Sequence, residues 1–314
     1  MENEGWNMFD YDAVIIGGGP AGLTAGLYLS RGNWRTLLVD KESAGGYIKN
    51  IALIENYPGF PEGIAGADLA ARMIKQAKQY GLKIEQAEVT GIELFSSSKW
   101  VACSDGNGFT TGAIIFAGGS VSKKLGVPGE EEYKDKGVIR CAFCDGGQFA
   151  GKTIVVCGGG DSGVTEALYL SRIADKVIVV EAMPQLNATA ILLDRLNENP
   201  KMEVHTGAKV KEITGNGQVE AITIVRDEDG KEETIKTDGV LVHIGLDPNT
   251  DYLEDIVPLT EGRQIEVNEF METELPGVFA CGDIRGNSPR QVSAGVGDGA
   301  AAGMAAQRYL QKQG

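Results

Sequence analysis

The pattern of apolar and polar positions is written twice along the chain. Tyr11-Asp12-Ala13-Val14-Ile15-Ile16 is a short apolar run ending in glycines, and AGLTAGLYLSR after it has helical spacing. A second apolar run, Thr36-Leu37-Leu38-Val39, closes on Asp40. The same order returns as Lys152-Thr153-Ile154-Val155-Val156-Cys157, a second glycine loop, VTEALYLSR, then Lys176-Val177-Ile178-Val179-Val180 and Glu181. In each copy the acid stands 23 positions beyond the first glycine, 17 to 40 and 158 to 181. Strand, turn, helix and strand with a terminal acid make a nucleotide-binding unit, so the chain carries an internal duplication of one.

Between the copies, residues near 84 to 117 read as short strands with a turn at Gly106-Asn107-Gly108, and Ala113 to Gly119 reads as a strand returning to the first sheet. After the second copy, strand-like segments near 203 to 213, 219 to 225 and 233 to 244 lead to Gly245-Leu246-Asp247-Pro248-Asn249. The last third offers Gly277 to Asp283 and a small-residue helix from about 291 to 311. Folding this tail back onto the first domain gives an α/β protein with two Rossmann-like dinucleotide-binding domains, the second inserted into the first. The expected boundaries are 1–122 with 248–314, and 123–247, placed by motif order because no low-complexity linker marks either crossing.

A length of 314 residues suits two domains of about 150 residues each. The 29 basic and 44 acidic residues leave a net charge of −15, which repels nucleic acid backbones and anionic lipid surfaces and so argues against both as partners. The opening MENEGWNMF lacks a basic start and an apolar core, and no run approaches the roughly 18 apolar residues of a membrane span. A cytoplasmic protein is expected.

In glycine loops of this kind, glycine permits the tight turn and lets the backbone approach a pyrophosphate at the positive end of the next helix. Gly17, Gly19, Pro20, Ala21 and Gly22 form the first such loop, and Asp40 is placed to accept hydrogen bonds from ribose hydroxyls. Gly158, Gly160, Asp161, Ser162, Gly163 and Glu181 form the second. Between the loops lies Cys141-Ala142-Phe143-Cys144-Asp145-Gly146. Two cysteines separated by two residues at a helix start can close a small disulfide ring, and the helix dipole favours an attacking thiolate. Asp145 can act as a general acid and base toward a leaving thiolate. Zinc is disfavoured, since Cys103, Cys157 and Cys281 form no second close pair and the chain has only two histidines, His205 and His243. These three cysteines sit in apolar contexts and are assigned no role; both histidines flank strands and are read as structural.

Residues 11 to 311 resemble the low-molecular-weight thioredoxin reductases, a family of two-domain FAD enzymes. The resemblance is carried by Gly17 to Gly22, Glu55-Asn56-Tyr57-Pro58-Gly59-Phe60-Pro61, Ala117-Gly118-Gly119, the Cys141 to Gly146 block, Gly277 to Asp283, and Arg290-Gln291 ahead of the final helix. It implies that the first glycine loop, Asp40 and Lys41 hold the ADP half of FAD. Gly45, Gly46, Asn56, Gly119, Gly282, Asp283, Arg290, Gln291 and Val292 would line the flavin side, with Asp283 on the ribityl chain and Arg290-Gln291 near the pyrimidine edge. Tyr47 departs from the glutamine usual after the paired glycines. By the same resemblance Cys144 faces the flavin and Cys141 attacks the disulfide of thioredoxin or a thioredoxin-like protein, through a mixed disulfide. A homodimer is also implied.

One segment departs from the family. NADPH-using members carry a histidine and arginines just past the second copy's last strand, where this chain reads Glu181-Ala182-Met183-Pro184-Gln185-Leu186-Asn187. A carboxylate repels a 2′-phosphate, and arginine's paired donors are not replaced. NADPH is therefore unlikely as donor. Two readings remain open. Glu181 marks an NADH-preferring site, or the second site is vestigial, as in members that take electrons from reduced ferredoxin or a deazaflavin coenzyme. Pro184, Met183 and Leu186 favour the second, while the acidic net charge disfavours an acidic ferredoxin unless a basic patch exists. Alternative functions are a flavin-dependent dithiol oxidase with oxygen as acceptor and a flavin redox sensor without bulk turnover.

Overall fold

The computed structural model describes residues 9–313; residues 1–8, which enter the cytoplasmic expectation above, and Gly314 lie outside the described residues. The chain divides into two units, one running through Val121 and resuming at Pro248, the other Ser122–Asp247.

The first unit opens with β1 (Tyr11–Ile16), α1 (Pro20–Arg31) and β2 (Thr36–Asp40), then α2 (Gly66–Gln79), β3 (Lys83–Gln86), β4 (Val89–Leu94), β5 (Lys99–Cys103) and β6 (Gly108–Phe116). Their order across the sheet is β3-β2-β1-β6-β5-β4. β1 runs parallel to both β2 and β6, with Ile15 level with Leu38 and Ile115. Both faces of this centre are covered, so Ala13 to Ile16, Leu37 to Val39 and Ala113 to Phe116 are apolar runs rather than alternating ones. Each fully buried Ile, Leu or Val contributes about 1.5–3 kcal/mol. β7 (Ser120–Ser122) carries the chain out of this unit.

The second unit contains β8 (Val138–Ile139), α3 (Ala142–Asp145), β9 (Thr153–Cys157), α4 (Asp161–Leu170), β10 (Lys176–Glu181), α5 (Ala190–Asn197) and β11 (Met202–Thr206). It continues with β12 (Ala208–Gly215), β13 (Val219–Arg226), β14 (Glu232–Lys236) and β15 (Gly239–Val242). A parallel sheet in the order β11-β10-β9-β15-β8 is flanked by the antiparallel β12-β13-β14. Alternation decides the faces. Ile139, Ile154, Val156, Val179 and Leu241 pack with α4 and α5 residues such as Val164, Leu170 and Leu196. Val138, Val155, Cys157, Val240 and Val242 pack with Ile213, Ile222 and Ile224 of the antiparallel sheet.

β16 (Leu246–Pro248) leads out, and the first unit is completed by β17 (Val278–Ala280), which extends along the second half of β6, and by α6 (Val292–Gln313). α6 packs on α1 through small residues. A Cβ at Gly299 would lie 2.2 Å from the Ala21 carbonyl oxygen, so only glycine admits this approach. The crossings are anchored inside each unit: Asn249 N donates to Gly119 O in the first, and Lys123 N donates to Gly245 O in the second, both at 3.0 Å.

Candidate functional site

The two glycine loops share the contacts of their first glycine and of their terminal acid. Gly17 at φ 111° and Gly158 at φ 118° occupy backbone that side chains rarely adopt. A Cβ on Gly17 would sit 2.2 Å from the Ala117 carbonyl oxygen, and one on Gly158 would sit 2.1 Å from that of His243. Gly18 N donates to Asp40 Oδ2 and Gly159 N to Glu181 Oε2, each at 2.5 Å. The other carboxylate oxygen accepts from the backbone two residues on, Glu42 N to Asp40 Oδ1 and Met183 N to Glu181 Oε1, each at 2.8 Å.

Around the first loop the expected FAD residues lie in one unit. Gly19 caps α1 without any side-chain cap, Pro20 and Ala21 begin the helix, and no acid stands in its first turn, which leaves an N-terminus suited to a pyrophosphate. A Cβ on Gly22 would meet the Gly17 carbonyl oxygen at 1.9 Å. Gly45 N donates to Gly18 O at 2.8 Å. Gly46, at φ 66°, passes so close to Gly19 that a Cβ would lie 2.6 Å from its Cα. Gly282 reaches the start of α1, where a Cβ would lie 2.9 Å from that of Ala21. Beside Gly119, at φ 65°, an added Cβ would meet nothing within 4 Å. The glycines thus line a cradle open at Gly119 and closed to side chains at the turn.

Asp283 is fixed from two sides, by Ser120 Oγ at 3.1 Å and Ser288 Oγ at 3.4 Å. Burial pushes its carboxyl above the ordinary range, while the two hydroxyls and Arg290 pull the other way. Asn56 Nδ2 donates to Gln291 Oε1 at 3.0 Å, joining residues 235 positions apart. Val292 begins α6 and packs against the cluster of Ile48, Ile54 and Ile64. Lys41 is exposed and paired with Glu88 at 2.7 Å. Ser120 escaped sequence reasoning because Asp283 lies 163 positions away, and Ser288, five positions beyond Asp283, carries no motif that marks it. So did Asp298, whose carboxylate takes both Arg285 and the Gly282 N–H. These residues fit FAD: the α1 N-terminus and Asp40 would hold its ADP half and Asp283 its ribityl chain.

In the second unit Cys141 and Cys144 form a disulfide. Cys144, Phe143 and Asp145 are exposed. The expected helix start is a single turn, α3, so the dipole of a long helix does not act here. Local bonds act instead: Cys144 N donates to Cys141 Sγ at 3.0 Å, and Asp145 N to Cys141 O at 3.2 Å. Beneath the turn, Ala142 N donates to Glu166 Oε2 at 2.6 Å, and burial raises the Glu166 carboxyl to about 7. Glu166 looks in sequence like any polar helix residue, and no signal there reveals it.

Around the second loop, Leu186 lies on Gly159, the Asn187 side chain stands beside Gly160, and Asp161 Oδ1 accepts from Thr189 N at 2.6 Å. Residues 181–190 hold no Lys or Arg. Gly163 passes the Gly158 carbonyl as Gly22 passes that of Gly17, and Ser162 lies in the first turn of α4. Cys103, Cys157 and Cys281 are buried thiols, and burial pushes Cys157 up to about 12. Among the described residues no group of His, Cys, Asp and Glu could hold a metal ion, and no helix is long and apolar enough to cross a membrane.

Comparison with known proteins agrees with this geometry. The pyridine nucleotide-disulphide oxidoreductase family matches over residues 11–299. A thioredoxin reductase of Bacillus subtilis (strain 168) is 41% identical over 304 residues, 96% of this chain and 95% of the relative. Among solved structures, a thioredoxin reductase from Lactococcus lactis superposes with a TM-score of 0.94 at 37% identity, covering 96% of this chain and 99% of the other. One from T. acidophilum does so at 0.92 and 34% identity, over 97% and 99%.

Proposed function

Since the chain belongs to the pyridine nucleotide-disulphide oxidoreductase family and is an FAD-dependent oxidoreductase of thioredoxin reductase type, we propose that it reduces thioredoxin or a similar small protein with electrons from a donor other than NADPH. The observation that carries the first half is the exposed Cys141–Cys144 turn in a chain whose other unit holds an FAD cradle. FAD, when bound, supplies the electron pair that opens the disulfide. Cys141 then attacks the partner's disulfide, and Cys144 resolves the mixed disulfide. Asp145, exposed beside Cys144, exchanges protons with the leaving sulfur. A homodimer in the cytoplasm belongs to this reading.

The donor half rests on Glu181 and the missing cations at 182, 183 and 187. A 2′-phosphate there would face a carboxylate and no guanidinium, so reduced ferredoxin or a deazaflavin is favoured. NADH is a second reading, supported by the likeness of Glu181 to Asp40: each presents a carboxylate to its glycine loop at 2.5 Å. Anaerobic titration of the yellow protein with NADPH, NADH, reduced ferredoxin and reduced deazaflavin tests the donor, and fast bleaching by NADPH refutes the reading. Cys141→Ser should keep FAD and lose thioredoxin reduction; retained turnover refutes the disulfide route.

A further inference from the structure

The mechanism above uses neither Glu166 nor His243, two buried titratable groups of the second unit. β8 and β15 are parallel neighbours in register, Val138 with Val240 and Ile139 with Leu241. Continued two positions beyond the paired residues, this register would bring Cys141 level with His243, and adjacent strands lie about 4.8 Å apart. Ile139 and Leu241 both face α4, so residues two positions on face the same side.

The internal duplication gives an independent direction for the histidine. His243 is the counterpart of Ala117, since each lends the carbonyl that its loop glycine passes. The Ala117 Cβ points at α1, 3.2 Å from where a Cβ on Gly22 would be. The equivalent of Gly22 is Gly163 on α4, one turn before Glu166, and Glu166 is bonded to Ala142, between the two cysteines. A methyl in the first copy is an imidazole in the second, although no His243 atom comes within 3.7 Å of a Cβ on Gly163 as the Ala117 methyl does of one on Gly22. His243 is only 9% exposed, and burial holds its ring below the ordinary imidazole range, hence neutral at pH 7. The other charged groups nearby are Glu166 from α4, Asp145 from α3 and Arg140 from the end of β8, the last already paired with Glu130 at 2.9 Å.

We propose that His243 lies against Cys141 and is its proton-transfer partner in thiol–disulfide exchange, a role that rests on the reductase reading above. In the reduced protein the neutral ring takes the Cys141 proton. The Cys141 sulfur forms a bond to one sulfur of the partner's disulfide, whose S–S bond breaks, and the other partner sulfur leaves with the electron pair and takes up the Cys144 proton by way of Asp145. The Cys144 thiolate so formed then attacks Cys141 and closes the Cys141–Cys144 bond. The expelled partner sulfur receives the proton held by His243. Two electrons and two protons pass from the dithiol to the partner.

The test needs neither donor nor thioredoxin, so its failure is separable from failure of the reductase reading. In the Cys144→Ser holoenzyme, the rate of Cys141 alkylation by iodoacetamide is followed against pH, with and without His243→Asn. The added substitution should slow alkylation at pH 7 at least fivefold and move the midpoint up by about one pH unit, with FAD content unchanged. Superimposable profiles overturn the proposal. Should the Asn variant fail to fold, ring-proton NMR decides, because the chain has only two histidines. His243 should titrate differently in Cys144→Ser than in Cys141→Ser/Cys144→Ser, while His205 does not change; identical His243 curves overturn the proposal.

Discussion

Glu166 Oε2 accepts a 2.6 Å hydrogen bond from the backbone N–H of Ala142, the residue that follows Cys141, and so ties the disulfide turn to α4. The Glu166 carboxyl is raised by burial from 4.5 to about 7, so the folded protein binds this proton more tightly than the unfolded chain. The stability from this group is complete below about pH 4.5 and is lost as pH rises to about 7. A shift of this size corresponds to at most about 3 kcal/mol. Glu166→Gln keeps an acceptor for Ala142 and removes the ionisation. The variant should therefore match the parent at pH 4.5 and melt at a higher temperature than it at pH 8; thermal unfolding at the two pH values checks this.

The two loop glycines should fail differently. Gly17→Ala places a Cβ 2.2 Å from Ala117 O at φ 111°, and backbone strain alone costs roughly 1–3 kcal/mol. Its expected product is colourless protein, seen as a lost 450 nm band. Gly158→Ala meets the same clash at His243 O in the other unit, so it should lower thermal stability while the purified protein stays yellow.

How much of this was legible in the sequence depended on distance along the chain. The duplicated loops were, because the steric demand for glycine and the strand-to-acid spacing act within one 30-residue unit. The return of residues 277–311 to the first unit followed from the order of motifs. The seat of Asp283 between Ser120 and Ser288 was not, since a hydrogen bond across 163 positions leaves no local pattern. The spacing of the two cysteines makes them legible as a pair, but their helix is one turn, and Glu166 reaches that turn only through helix packing.

Asp283 should govern flavin affinity. Replacing it with alanine removes a carboxylate held by two hydroxyls, and a hydrogen bond to a charged group is worth about 1.5–3 kcal/mol. FAD affinity should fall about tenfold to a hundredfold, measured by fluorescence on release. Unchanged affinity would place the ribityl chain elsewhere.

Supplying the missing cations should create what the second loop lacks. Ala182→Arg with Met183→Arg puts two guanidinium groups beside Glu181, where Met183 is already exposed. NADPH should then bleach the flavin at least tenfold faster than in the parent, followed anaerobically by stopped flow. No gain would mean that the second site is closed by more than its charge.

The central claim is that electrons leave this protein through Cys141 and Cys144 to a thioredoxin disulfide. Its most direct measurement is anaerobic: the flavin is bleached with stoichiometric dithionite, oxidised thioredoxin is added, and absorbance at 450 nm is followed alongside thioredoxin thiols. The colour should return with two thiols formed per flavin, and should not return with Cys141→Ser. Flavin that stays bleached in the parent protein, or colour that returns equally in the serine variant, would contradict the account.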